Sequence, residues 1–294
     1  GGVTRAPSLR DKLRMQASLR AFRAYLEAEM FGAPLEAFMA LESVAALEAW
    51  DTGDVALFLE IAVDLDLAAM GRGAGRYLSY GAYPTAAGPV FARGIWAEGA
   101  LGVFDPALIA EDLSHAWMLG EATHPDKGQT VPDEAMRDPG YSWCKAPRLG
   151  GLGYETGALA RQVVDGHPLA RALAGEGSVR ARIVGRLLEI ARTQLVMEAI
   201  LAAIDPAARF MADWAAPRDG VGEGLVEAAR GALGHWCRIE KGRIASWQII
   251  APTTWNFPWT WRIASPVRHR GAKGLLAAAS CRWSRVAGLR ADQR

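Results

Sequence analysis

Apolar residues recur at helical spacing over the N-terminal part of the chain. Leu9, Leu13, Leu19, Phe22, Leu26 and Met30 fall on roughly one stripe. Ser8 precedes them, with a hydroxyl suited to accept from a free first-turn N–H. Gly32 stops this helix. Pro34 suits the first position of the next, whose pattern runs through Leu35, Phe38, Leu41, Leu47 and Trp50. Asp54 is placed to cap a third stretch, from Val55 to about Leu67. The pattern then changes. GRGAGRYLSYGAYPTAAGP is dense in Gly and Tyr and broken by Pro, which predicts short strands and loops over 71–104. Residues 120–153 hold four prolines and no period, the mark of a long irregular connection.

Helical periodicity returns over 154–216. YETGALARQVVDG reads as a short helix ending at Gly166, and Ser178 caps the longest run in the chain. Ile183, Leu187, Ile190, Leu195, Met197 and Leu201 are its inward candidates, and Asp205-Pro206 breaks it. Apolar on more than one side, this helix is expected at the centre of a bundle. In WCRIEKGRIASWQII, Lys241-Gly242 between apolar runs predicts a β-hairpin over 236–250, because Gly supplies positive φ. The expected fold is mainly α with small β-hairpins (α+β) around a helix-bundle core.

Composition narrows the function classes. The chain has 294 residues, 51% hydrophobic and 22% charged, with mean hydropathy +0.04. That is too apolar for intrinsic disorder. A formal net charge of +1 gives no general attraction to nucleic acid. No apolar run reaches the roughly 18 residues of a membrane-spanning helix. Cys144, Cys237 and Cys281 are too widely spaced for a disulfide framework, which makes a reducing compartment the expectation. The opening GGVTRAPSLR has neither an initiator Met nor the plan of a signal peptide, and reads as part of something longer.

The metal-ligand pattern is sparse. His115, His124, His167 and His269 each lack a His or Cys within four positions, and His235 with Cys237 is a single pair, short of the three or four ligands a site needs. Cys144 has Lys145 and Arg148 nearby, which favour a thiolate, yet reads more simply as a small buried loop residue; Cys237 reads as core. GRGAGRY follows a helical run and leads into Tyr-rich loop, which is the wrong context for a dinucleotide loop. There is no G-x-S-x-G nucleophile elbow. Two stretches look too specific for scaffolding. EAARGALGHW places Glu227, Arg230 and His235 among small residues that permit close backbone approach, and APTTWN sets Pro252 beside Thr253 and Thr254. Such groups can donate hydrogen bonds to an anionic ligand or cofactor. The alternative is a buried Glu–Arg pair joined to a strand end.

GALGHW, a hairpin and APTTWN, taken with the opening GGV, FGAPLEAF, YSWCKAPRLGG and ETGALAR, resemble nickel–iron hydrogenase large subunits from Gly1 to about Phe257, in consistent order. The resemblance implies a mostly helical subunit. It would surround a nickel–iron centre with carbon monoxide and cyanide ligands, catalyse dihydrogen oxidation and pass electrons to an iron–sulfur small subunit. Two roles follow. An uptake enzyme hands electrons to a membrane cytochrome and is membrane-associated through its small subunit. A hydrogen-sensing relative signals to a histidine kinase in the cytoplasm, and WCKAPRL and TGALARQVVDG read closer to that branch.

The departures are as informative. The family's thiolate ligands come from two C-x-x-C pairs, and neither occurs here, so no metal ligand, no catalytic residue and no bound centre are expected in this chain alone. Carried over by resemblance, Glu227, Arg230 and His235 would stand behind the metal ligands, and Pro252, Thr253 and Thr254 would form pocket wall. After Asn256 the family's Pro-Arg-Asp step is replaced by FPWTWRIASPVRHR, and nothing past Pro258 is recognised. Residues 259–294 carry eight Lys/Arg and one acid. They read as a basic disordered tail or as a shifted reading frame, with 1–258 as the partial large-subunit domain. Two other readings stay open: a metal-free relative serving as docking or electron-path scaffold, and a non-functional remnant.

Overall fold

The computed structural model describes residues 6–85, 88–127, 130–209 and 219–256. The expected boundary at Pro258 and the tail 259–294 lie outside the described residues. Helix α1 (Leu9–Tyr25) starts on a capping box: Ser8 Oγ accepts from the Asp11 amide while Asp11 accepts from the Ser8 amide. A π turn, Leu26–Met30, follows, with Phe31 N donating to Leu26 O. Only the C-terminal part of the expected stripe faces inward: Leu26 is buried and Leu19 and Met30 half-buried, while Leu9, Leu13 and Phe22 are exposed and Lys12 and Arg23 are half-buried. Lys12 Nζ donates to the Ala202 and Ile204 carbonyls, at the end of helix where such groups are free and the dipole is negative.

The second expected helix is two single turns, α2 (Leu35–Met39) and α3 (Val44–Glu48). Phe38 meets Phe31 at a tilt, 4.8 Å between ring centroids, and Trp50 edge to face, at 5.2 Å. Helix α4 (Gly53–Asp64) has Thr52, not Asp54, at its N-cap position, and the Thr52 hydroxyl donates to the Phe31 carbonyl instead of capping the helix. The reason is Gly32. Its Cα lies so close to Gly53 that a Cβ there would stand 2.6 Å from the Gly53 nitrogen, so the chain must turn into α4 two residues early. Both glycines have positive φ, 66° and 65°.

The Gly/Tyr-rich stretch is a sheet. Strands β1 (Tyr77–Thr85), β2 (Gly88–Ala97) and β3 (Ala100–Gly102) pair antiparallel in that order. The long connection is organised by two ribbons: β4 (Ile109–Asp112) with β7 (Ala146–Leu149), and β5 (Met118–Leu119) with β6 (Val131–Pro132). Helix α5 (Ala158–Asp165) starts later than its motif and ends at Gly166, whose φ is 101°. Helices α6 (Pro168–Ala174) and α7 (Val179–Ala203) follow, and Ser178 caps α7 as expected. In α7 the buried stripe runs Val184, Leu187, Leu188, Ala191 and Leu201, while Met197 is exposed. Gly185 lets α5 approach: a Cβ there would lie 2.7 Å from Leu159 Cα.

The expected hairpin belongs to a three-stranded sheet, β8 (Gly220–Ala228), β9 (Gly231–Glu240) and β10 (Arg243–Ile250). Lys241 and Gly242 turn with φ 52° and 68°. A short helix, α8 (Pro252–Asn256), carries PTTWN. The architecture is therefore a mixture of helix and strand, with more sheet than small hairpins. Glycine-rich strands such as GVGEG lack the β-branched alternation that announces a strand. One core joins α2–α7 with Tyr77; a second lies between the sheets, around Leu78, Tyr80, Trp236, Ile250 and Trp255. Among the described residues no helix is long and apolar enough to cross a membrane.

His167 ties the two halves of the helical core. Its Nε2 lies 3.0 Å from Met39 O, which requires an N–H there, and its buried Nδ1 has no partner. Burial holds this imidazole below its ordinary value; the Met39 carbonyl pulls the other way and Arg192 adds to the lowering. The folded state thus holds the ring neutral, and the unfolded chain takes up a proton first. Stability is complete above about pH 6.5, the ordinary histidine value, and falls as pH drops below it. Chemical denaturation from pH 7.5 to 5.5 should show this loss, and His167→Gln should flatten it.

Candidate functional site

Helix α5 is small or apolar at five of its eight positions, and it buries one cation. Arg161 is 2% exposed. Its Nη2 donates to Glu189 of α7 at 2.6 and 2.9 Å, and its Nη1 to Glu227 of β8 at 2.5 Å. The same nitrogens reach the Ala228 and Ala229 carbonyls at 3.0 and 3.2 Å. Glu227 accepts in addition from the Tyr80 amide, 2.6 Å away. A planar guanidinium can address acceptors in two directions at once. Burial works against the Arg161 charge, but Glu189 and Glu227 outweigh it and hold it above its ordinary value. Glu189 has a second, more exposed cation, Arg186, at 3.6 Å. Burial raises Glu227 above the usual carboxylate range, against the pull of Arg161 and the Tyr80 amide.

Three sequence segments meet around this cluster. Gly231, with φ 130°, lies against the start of the TGALAR motif; a Cβ on it would stand 2.7 Å from Gly157 N. Gly157, φ 125°, in turn faces the Arg230 carbonyl. Asn256 of α8 reads the backbone of Thr156 twice: Oδ1 accepts from Thr156 N at 2.9 Å and Nδ2 donates to Thr156 O at 3.1 Å. EAARGALGHW, ETGALAR and APTTWN, distant in the chain, are therefore one locus.

The six residues singled out from the sequence do not all share it. Glu227 is at its centre. Arg230 contributes its backbone, while its side chain is exposed; the cation paired with Glu227 is Arg161. His235 stands on the other face of the sheet. The register sets Glu227 opposite Ala232 and Glu223 opposite Trp236, so those side chains share one face and His235 takes the other. There His235 Nδ1 accepts from Trp247 Nε1 at 3.0 Å, which leaves the proton of the neutral ring on Nε2. Pro252 is buried, Thr253 exposed and Thr254 half-buried. Arg161 and Glu189 escaped sequence reading because their partners lie 66 and 28 positions away. The available signal was an arginine in the middle of an otherwise small and apolar motif.

Whether these residues could themselves hold a metal is settled by their chemistry. Among the described residues no group of three or more His, Cys, Asp or Glu is placed to bind one. Cys144 is exposed, not the buried loop residue expected, and Cys237 is half-buried on β9. The cluster offers guanidinium, amide and hydroxyl donors, among them the buried, unpartnered Thr156 Oγ1. Such groups can hold ligands of a metal in place but do not fit as its ligands.

The fold is that of known hydrogenases. The chain superimposes on the [NiFeSe] hydrogenases of Desulfomicrobium baculatum and Desulfovibrio vulgaris Hildenborough, in each case with TM-score 0.68, 24% identity and 87% of this chain covered. Residues 48–274 match the model of the nickel-dependent hydrogenase family, and the chain belongs to that family. The match starts later than the resemblance drawn from the sequence and runs past Pro258. Among curated relatives, the hydrogenase-1 large chain of Citrobacter freundii is 29% identical, over 69% of this chain and 42% of its own length. The uptake hydrogenase large subunit of Afipia carboxidovorans is 32% identical, over 52% and 34%. The chain thus spans about two-fifths or less of the relatives it matches.

The cluster predicts unequal mutational costs. Arg161→Met leaves Glu227 buried without its cation and should cost about 3–5 kcal/mol. Glu227→Gln can still accept from one of its two donors and leaves Arg161 paired with Glu189, so it should cost less, about 1–3 kcal/mol. Thermal and denaturant unfolding of the two variants measures the difference; equal losses would refute the assignment of Arg161 as the centre of the cluster.

Proposed function

We propose that this chain is the central part of a nickel–iron hydrogenase large subunit, a helix bundle with flanking sheets that forms wall and support around a metal centre serving dihydrogen oxidation or hydrogen sensing. The observation that carries this reading is the convergence of ETGALAR, EAARGALGHW and APTTWN on one buried charge cluster, in a chain of that family. In the intact protein the centre would be nickel and iron with carbon monoxide and cyanide on the iron. It would supply polarisation and heterolytic splitting of dihydrogen. The thiolates that bind it would come from outside the described residues.

This chain's residues contribute in other ways. Glu227 and Arg161 fix the β8–β9 turn, and Pro252, Thr253 and Thr254 form the wall that Asn256 anchors. The partner would be an iron–sulfur small subunit. The names of the relatives favour uptake, with a membrane cytochrome as acceptor and attachment through the small subunit. WCKAPRL and TGALARQVVDG favour sensing, with a histidine kinase and a cytoplasmic location. A metal-free scaffold is the weaker reading, because APTTWN is built into the same cluster.

The test has two arms. Nickel and iron analysis of the purified chain should find both near zero, and stoichiometric nickel would overturn the ligand assignment. Sequencing the coding DNA should reveal a C-x-x-C pair upstream of Gly1 and another, in a second frame, downstream of Asn256; absence of both defeats the hydrogenase reading.

A further inference from the structure

We propose that Arg161 is the positioning residue for the PTTWN segment, acting through the β8–β9 turn and the Thr156-Gly157 step. Helix α8 is five residues long, too short to hold its own conformation. Its Pro252 and Trp255 are buried, which turns one face of it to the core. Directional restraint comes from Asn256, whose two hydrogen bonds end on Thr156. The place of Thr156 therefore sets the place of α8.

Thr156-Gly157 is in turn confined by Gly231, which leaves no room for a β-carbon between them. Gly231 closes the turn whose Ala228 and Ala229 carbonyls Arg161 holds. Arg161 sits one helical turn beyond Gly157, and its own amide donates to the Gly157 carbonyl at 2.9 Å. The contacts form a closed ring: Gly157, Arg161, the 228–231 turn, then back to Thr156-Gly157, with α8 attached at Thr156. Glu189 anchors the ring to α7. Every link but one is backbone or a small residue. The exception is the Arg161 guanidinium, whose planar fork meets two carboxylates and two carbonyls. An ammonium group is a point donor and cannot span that set.

That PTTWN lines a metal pocket rests on the reading above; that Arg161 fixes where PTTWN sits does not. Metal analysis and DNA sequencing test the first, and amide hydrogen exchange tests the second. The experiment compares the full chain with Arg161→Lys and with the charge-balanced triple variant Arg161→Met, Glu189→Gln, Glu227→Gln, which guards against failure to fold. In both, exchange of the Thr254 and Trp255 amides should quicken by about tenfold or more, while α4 and α6 change less than about twofold. Asn256→Ala should release α8 but leave the 228–231 turn protected, which gives the direction of control. Unchanged exchange at 254–255 in Arg161→Lys, or acceleration spread evenly over every element, would overturn the proposal.

Discussion

A guanidinium buried between two carboxylates is costly to assemble, because three charges leave water together. The cost is offset here only because Arg161 also meets two backbone carbonyls and Glu227 also meets the Tyr80 amide. The cluster joins α5, α7, β1 and β8, so the helical core and the sheets cannot shift independently without breaking a hydrogen bond in a medium that offers no replacement. Glu189 is also reached by the half-exposed Arg186, whereas Glu227 depends on Arg161 alone for a cation, and burial raises its pKa. The polar network is a directional part of an interior otherwise filled by aliphatic and aromatic side chains.

Close backbone approach is the second device. Gly157 against the Arg230 carbonyl, Gly231 against Thr156-Gly157 and Gly185 against Leu159 each bring segments nearer than a β-carbon would allow. This gives the small residues of TGALAR and RGALGHW a physical meaning. They are small because two motifs interlock, and the arginine among them is long because it must reach across the same interface. The same reasoning explains Gly32 and Gly53, where a pair of glycines with positive φ moves the start of α4 from the expected Asp54 to Thr52.

What the sequence made legible was local. The Ser8 and Ser178 caps, the Gly166 stop and the Lys241-Gly242 turn depend on groups within four residues of one another, and all stand where expected. What it concealed was decided at long range. Periodicity put Leu9, Leu13 and Phe22 inward, but α1 is attached through Lys12 and Arg23 to the end of α7, and a tether to free carbonyls outweighs a modest apolar stripe. Strand β8 was hidden by its glycines, whereas β1 falls in the 71–104 stretch read as short strands and loops. Glu227 was found because it lies in a dense motif; its true partner was missed because nearness in sequence suggested Arg230.

The strand alternation of β9 separates two roles that share one motif. Ala232, Gly234 and Trp236 face the second core and the charge cluster, whereas His235 pairs with Trp247 on the opposite side, near the exposed Val226 and Ile249. A register slip of one residue would exchange those faces, placing a histidine against the core and a large indole outside it. The Gly234 position guards against this: a Cβ there would stand 2.3 Å from the Trp236 ring, so the indole occupies space that only a residue without a side chain leaves open. The order Gly-His-Trp is thus a steric instruction as much as a chemical one. It fixes which face of β9 meets Glu227, and through the β8–β9 turn it fixes the partner that Arg161 must find.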